Sequence, residues 1–161
     1  MPDPIVPRPP INGVAEIVLN VRSIPVMRKF YSEVMGFELF SQSCHETEIG
    51  SNDGEPTICF LSIKPLDSPL GKHHPQLLAL IDHTRHLAAT KRFKGHDVNQ
   101  STLNHLAFEI PSDSFDDHLA RLTDLGLAPT TTEFPSMNAK AIFFQDPEKN
   151  SLELICNNPN E

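Results

Sequence analysis

The same order of elements is written twice in this chain, and that internal repeat limits the possible folds more than any other feature of the sequence. In the first copy, residues 14–21 alternate. Ala15, Ile17, Leu19 and Val21 share one face of a predicted strand, and Glu16, Val18 and Asn20 share the other. Ser23 and Pro25 open a helix whose apolar stripe is Val26, Phe30 and Val34, with Met27 and Tyr31 beside it; Gly36 closes it as a left-handed cap. Strands are predicted over 37–41, 57–63 and 76–81, with a turn at Asn52-Asp53-Gly54 and a loop over 65–75. In the second copy, residues 103–110 place Leu106, Phe108 and Ile110 on one face and His105, Ala107 and Glu109 on the other. Ser112 or Ser114 caps a helix with the stripe Phe115, Leu119 and Leu122, and Gly126 ends it. Strands over 129–134, 139–144 and 151–156 complete the copy.

Aligning the copies brings four polar side chains into correspondence. Glu16 lies five residues before Val21, and His105 lies five before Ile110. Pro75-Gln76-Leu77-Leu78 matches Leu152-Glu153-Leu154-Ile155. Glu16, Gln76, His105 and Glu153 therefore fall at two repeat-equivalent positions, and each can ligate a metal through oxygen or imidazole nitrogen. A glutamate on a strand is most often solvated, and an amide at a strand end most often bonds backbone. Four such residues at matched positions is a much less common coincidence than any one of them alone. Glu153 stands out because it interrupts the apolar strand Ser151 to Cys156, where a carboxylate is costly to bury unless a positive charge meets it.

Three segments carry a family resemblance. They are Asn104-His105-Leu106-Ala107-Phe108-Glu109-Ile110, Phe30-Tyr31-Ser32-Glu33-Val34-Met35-Gly36-Phe37, and Phe144-Gln145-Asp146-Pro147-Glu148-Lys149-Asn150-Ser151-Leu152-Glu153-Leu154. With them the chain resembles the vicinal oxygen chelate superfamily, over roughly residues 11–156. That group holds glyoxalase I, methylmalonyl-CoA epimerase, extradiol dioxygenases, fosfomycin-resistance enzymes and bleomycin-binding proteins. The resemblance implies an α+β fold of two βαβββ modules forming a curled mixed sheet around a metal cleft. It implies a first module over 11–82, a linker over 83–102 and a second module over 103–156, flanked by a Pro-rich arm (1–10) and a tail (157–161). It implies a divalent ion (Zn, Ni, Co, Mn or Fe) held by Glu16, Gln76, His105 and Glu153. Glu153 is then the catalytic base and Glu16 the second candidate, in lyase or isomerase chemistry by proton abstraction beside a metal-bound carbonyl. The substrate is a small molecule with adjacent oxygens, and the assembly a homodimer. Extradiol-type oxidation and non-catalytic binding of an antibiotic-like molecule are the alternatives. The ligand pattern departs from many members, in which the first-strand ligand of the first module is His rather than Glu16. Ring-cleaving dioxygenases use two His, whereas one His stands at the matched positions here.

Composition excludes other classes. The 13 Lys and Arg against 21 Asp and Glu give a net charge of −8, which argues against nucleic-acid partners. No membrane-length apolar run or signal-peptide pattern is present, and three cysteines without a CxxC spacing (Cys44, Cys59, Cys156) suit reduced thiols of a cytoplasmic protein. The linker carries Arg85, Lys91, Arg92 and Lys94 with a short helix predicted over 86–92, and reads as a solvated segment. His73 and His74 are assigned to a surface loop. His45, His83, His86, His96 and His118 lie on polar stretches and are expected to be exposed. Phe30 and Tyr31 are expected in the core, and Asn20 and Glu109 on the site-facing sides of their strands.

Overall fold

The computed structural model describes residues 14–44, 54–68, 71–86, 89 and 102–158, with backbone alone described at 65–68 and 71–74. The expected arm, most of the linker with its short helix, His45, His96 and the Asn52-Asp53 turn lie outside the described residues.

The first sheet comprises β1 (Glu16–Val21), β2 (Glu38–Ser43), β3 (Ile58–Ser68) and β4 (Gly71–Asp82), in the order β1-β4-β3-β2. The second comprises β5 (Leu106–Glu109), β6 (Thr130–Phe134), β7 (Ala139–Gln145) and β8 (Ser151–Asn157), in the order β5-β8-β7-β6. In each, the first strand pairs parallel to the last and the other pairings are antiparallel. One helix follows the first strand of each sheet: α1 (Ile24–Glu33) and α2 (Phe115–Asp124). This is the α+β architecture of two mixed, unclosed sheets, with β1 and β5 both left as edge strands. Among the described residues no helix is long and apolar enough to cross a membrane.

The alternation read in β1 holds. Leu19 and Val21 are buried and Glu16 and Val18 are exposed. Ser23 Oγ accepts from the Val26 amide at 3.4 Å, and Gly36 and Gly126 both take a φ of +73°, where glycine has no Cβ to clash. Three expectations need correction. The buried stripe of α1 is Ile24, Met27, Phe30 and Tyr31, and Val26 is 52% exposed, because the helix packs the 24/27/31 face inward. The loop expected over 65–75 is instead the distal end of the β3–β4 hairpin, which places His73 and His74 on β4. The prolines are accommodated because the register shifts between Ser62 and Lys64, Lys64 and Asp67, and Asp67 and Ser68; irregular pairing removes the need for an N–H at Pro65 and Pro75. Finally, His105 sits just ahead of β5 rather than within it.

One apolar core joins both halves. Leu19, Val21, Leu61, Leu78 and Leu80 of the first sheet pack with Leu106, Ile142, Leu152 and Leu154 of the second, and with the helices. The polar connections converge on α1. At its N-terminus Glu148 Oε1 accepts from the Arg22 and Ser23 amides at 2.7 and 3.3 Å, where a carboxylate favours the helix dipole. At its C-terminus the Arg121 guanidinium donates to the Glu33 and Val34 carbonyls, which have no partner within the helix. Midway, the Tyr31 hydroxyl donates to Asp146 Oδ2 at 2.9 Å. The other oxygen, Asp146 Oδ1, accepts from the Glu148 and Asn150 amides, and Asn150 Nδ2 donates to Oδ2 at 2.7 Å. The Asp146-Pro147 turn is thus a buried clasp between the halves as well as a strand connection.

Tyr31 is fully buried, and its ionisation is pushed far above the ordinary tyrosine value by burial first, then by the Asp146 charge and the hydrogen bond to it, then by Glu148. The folded state therefore holds this proton more tightly than the unfolded chain. The associated stability is complete below a pH of about 10 and falls as pH rises beyond it. Tyr31 is the sole tyrosine and there is no tryptophan. In an alkaline titration the tyrosinate absorbance is expected to rise together with loss of the far-ultraviolet circular dichroism. Tyrosinate appearing while the fold persists would place Tyr31 in contact with water.

Candidate metal centre

Parallel pairing of β5 with β8 sets Ala107 opposite Glu153, so Glu153 shares a face with Ala107 and Glu109. On that face the chain turns into β5 at Asn104-His105, and His105 Nε2 stands 3.0 Å from Glu153 Oε2. Glu153 is 4% exposed, and Phe143, its partner on β7, meets the His105 ring edge-on with centroids 5.7 Å apart. His105 Nδ1 lies 2.7 Å from Asn104 Oδ1. An Nδ1–H donating to this amide oxygen leaves Nε2 facing the carboxylate, where it can hold a proton or a cation. Two acceptors at 3.0 Å repel unless a cation or a proton lies between them. An imidazole nitrogen and a buried carboxylate, with the far ring nitrogen tied to an amide, form a donor pair that suits a zinc-like divalent ion.

Glu16 and Gln76 belong to the other sheet. Glu16 pairs with Leu77 and Ile17 with Leu78, so Glu16 shares its face with Leu77 and Ala79. Gln76 falls on the opposite face, with Leu78 and Leu80. The repeat match is therefore displaced. Leu106 pairs with Leu152 as Ile17 pairs with Leu78, which makes Ala79, and not Gln76, the counterpart of Glu153. Glu16 and Gln76 both reach the rim of a cleft of about 700 Å³ between the halves, whose lining does not include His105 or Glu153. Among the described residues no three His, Cys, Asp or Glu side chains gather into a metal-binding group. The chain thus brings together two of the four sequence-identified residues, His105 and Glu153.

Glu109 is exposed and lines the same cleft, and Asn20 lies on the Glu16 face of β1. His118, expected on the surface, is only partly exposed and borders the cleft; burial first, then Arg121, holds its imidazole below the ordinary histidine value. Phe30 and Tyr31 are buried as expected. Cys59 and Cys156 are buried free thiols whose ionisation burial makes harder. Sequence reasoning missed the parts of Asn104 and Phe143. An amide directly preceding the site histidine was the available signal for the first; nothing local marked the second.

The sequence profile of the Glyoxalase/Bleomycin resistance protein/Dioxygenase superfamily matches residues 13–154. No curated protein matches the sequence. Among solved structures, the chain is similar to a variant of the fosfomycin resistance protein FosX of Listeria monocytogenes, solved with Mn(II) and 1S,2S-dihydroxypropylphosphonic acid. That likeness has 20% identity over 89% of each chain and a TM-score of 0.59. The lactoylglutathione lyase of Agrobacterium tumefaciens is similar at 17% identity, 91% of this chain, 94% of that one and a TM-score of 0.59. A glyoxalase/dioxygenase of Nostoc punctiforme gives 18%, 96%, 97% and 0.62. Fold, repeat and profile agree, and the chain belongs to the Glyoxalase/Bleomycin resistance protein/Dioxygenase superfamily.

Proposed function

We propose that the protein is a metal-dependent enzyme of lyase or isomerase type, acting on a small molecule with adjacent oxygens, and that His105 and Glu153 are two of its metal ligands. The observation that carries this reading is the 3.0 Å approach of His105 Nε2 to the buried Glu153 carboxylate, with Nδ1 engaged by Asn104. The Mn(II) in the FosX structure supports it by analogy of fold. A divalent ion there supplies Lewis acidity, polarising a substrate carbonyl and stabilising charge that develops on its oxygen.

The chain's own groups do the rest. Asn104 orients the His105 ring. Glu153 Oε2 faces His105, while Oε1 has no hydrogen-bond partner among the described residues and is free to take a proton from the carbon beside the carbonyl. Phe143 forms an apolar wall next to the pair. Glu16 is the second candidate base and, as a second carboxylate, the third donor of the proposed set; within one chain it lies on the other sheet from the pair, and a homodimer would bring it from a second copy. In that homodimer the Glu16 face of one first sheet covers the His105 face of the other copy's second sheet. The Glu16 face is suited to such cover: it carries Val18, 45% exposed, with Phe60 and Ile81 in neighbouring registers.

Elemental analysis after gentle purification is expected to find a stoichiometric divalent metal. A screen across α-ketoaldehyde thiol adducts, acyl-CoA epimers and catechols is expected to find turnover among the first two. A protein without metal, and with no thermal shift on adding Zn, Ni, Co or Mn, would indicate a binding protein instead. Light scattering at micromolar concentration is expected to report a dimer. A monomer that retains metal would remove the second copy's Glu16 from the ligand set.

A further inference from the structure

The cleft between the halves is a second site, which shares Glu16 with the proposed chemistry but not the His105–Glu153 pair. Its volume, about 700 Å³, falls in the range of small-molecule pockets. Its walls are apolar and come from both halves: Val34, Met35 and Phe37 after α1, Phe108 and Ile110 of β5, and Leu154 of β8. Its charged side chains are two carboxylates, Glu16 and Glu109, and one ammonium, Lys64. Both carboxylates are exposed, and neither makes a hydrogen bond or ion pair among the described residues. Among the described residues β5 pairs with β8 alone. The cleft thus combines an apolar body with two carboxylates against one ammonium.

We propose that this cleft binds a small amphipathic cation, an apolar skeleton bearing an ammonium group. The skeleton packs against Phe37, Phe108 and Leu154, where removing apolar surface from water favours binding. The ammonium meets Glu109 and Glu16 at the rim, and charge complementarity selects it over an anion of the same shape. The His105–Glu153 pair takes no part, but Glu16 belongs to both readings, so the test turns on Glu109, which the metal reading does not use.

The test uses the full chain and n-octylammonium as probe, with n-octanol and n-octanoate as isosteric controls, followed by calorimetry and by methyl chemical shifts. Saturable binding of one octylammonium per chain is expected, with shifts centred on Val34, Met35, Ile110 and Leu154. Octanol is expected to bind about tenfold more weakly, the effect of roughly one lost charge interaction, and octanoate more weakly still. Glu109 is exposed, so Glu109→Lys is expected to fold and to abolish binding, while Glu109→Gln weakens it by about tenfold. His105→Ala is expected to bind the probe unchanged. Octanoate binding as tightly as octylammonium, an undiminished affinity in both Glu109 variants, shifts centred away from the cleft, or no saturable binding would each overturn the proposal.

Discussion

His105→Ala is expected to lose the divalent metal and, with it, turnover, while keeping its fold. The substitution removes the imidazole that faces Glu153 and leaves a buried carboxylate with no partner among the described residues. Without the imidazole the remaining carboxylates hold a zinc-like ion poorly, so metal affinity is expected to fall by more than the roughly 10–100-fold seen when only an outer partner is removed. Asn104→Ala supplies that comparison: it frees the ring without removing the ligand and is expected to weaken metal binding by about 10–100-fold. Glu153→Gln keeps an oxygen near the ion but removes the base. Turnover is expected to fall by roughly 10²-fold or more, with a smaller loss of metal. The core faces of β5 and β8, with Leu106, Leu152 and Leu154, are untouched in all three variants. The measurement is metal content beside turnover on the substrate found by the screen. Full activity of Glu153→Gln with metal bound would move the base to Glu16. Full activity of chelated His105→Ala would remove the metal from the chemistry.

The largest expected effect on stability comes from Asp146→Ala. It strands the Tyr31 hydroxyl and the Asn150 side-chain and backbone N–H groups in buried surroundings, and the Glu148 amide in partly buried ones. At about 1–3 kcal/mol for each buried donor left without a partner, and with water recovering part of the loss, the cost is about 4 kcal/mol. For a chain of this size that corresponds to a melting temperature lower by about 10 °C. Asp146→Asn, which keeps one acceptor oxygen, is expected to lose less, and Tyr31→Phe less again because the ring packing remains. Denaturant or thermal unfolding of the three variants gives the order directly. An Asp146→Ala protein as stable as the parent would mean that the clasp holds nothing.

Alternation made β1 and β5 legible from the sequence, and the apolar stripes and closing glycines made α1 and α2 legible, because those signals are local; the Ser23 cap is formed, whereas Ser114 stands at the start of α2 without a side-chain cap hydrogen bond. The approach of His105 to Glu153 was legible mainly at Glu153, the one charged side chain in an otherwise apolar strand. Gln76 was misplaced for a physical reason. A parallel pairing is fixed by the core residues of both strands, Ile17 against Leu78, and no short peptide match reports that register; a displacement of one residue moves a side chain to the other face. The distal end of the β3–β4 hairpin was hidden by Pro65 and Pro75, which mark a loop by rule and a bulged pairing here. Asp146 and Glu148 stood out only as part of the turn segment and Arg121 not at all, because each acts on a partner more than eighty residues away.

The clasping of α1 has a consequence for the order in which the chain is made. Ser23 receives its partner Glu148 from 125 positions downstream, and Val34 receives Arg121 from 87 positions downstream. At about 5–20 residues per second, a ribosome takes roughly 6–25 s to travel from Ser23 to Glu148. Through that interval the nascent first half has a helix with unsatisfied ends and a sheet whose core face waits for Leu106, Ile142 and Leu154. Synthesis arrested near residue 100 would yield a chain that chaperones hold, and the native state would form only as β8 emerges and closes on both ends of α1 together.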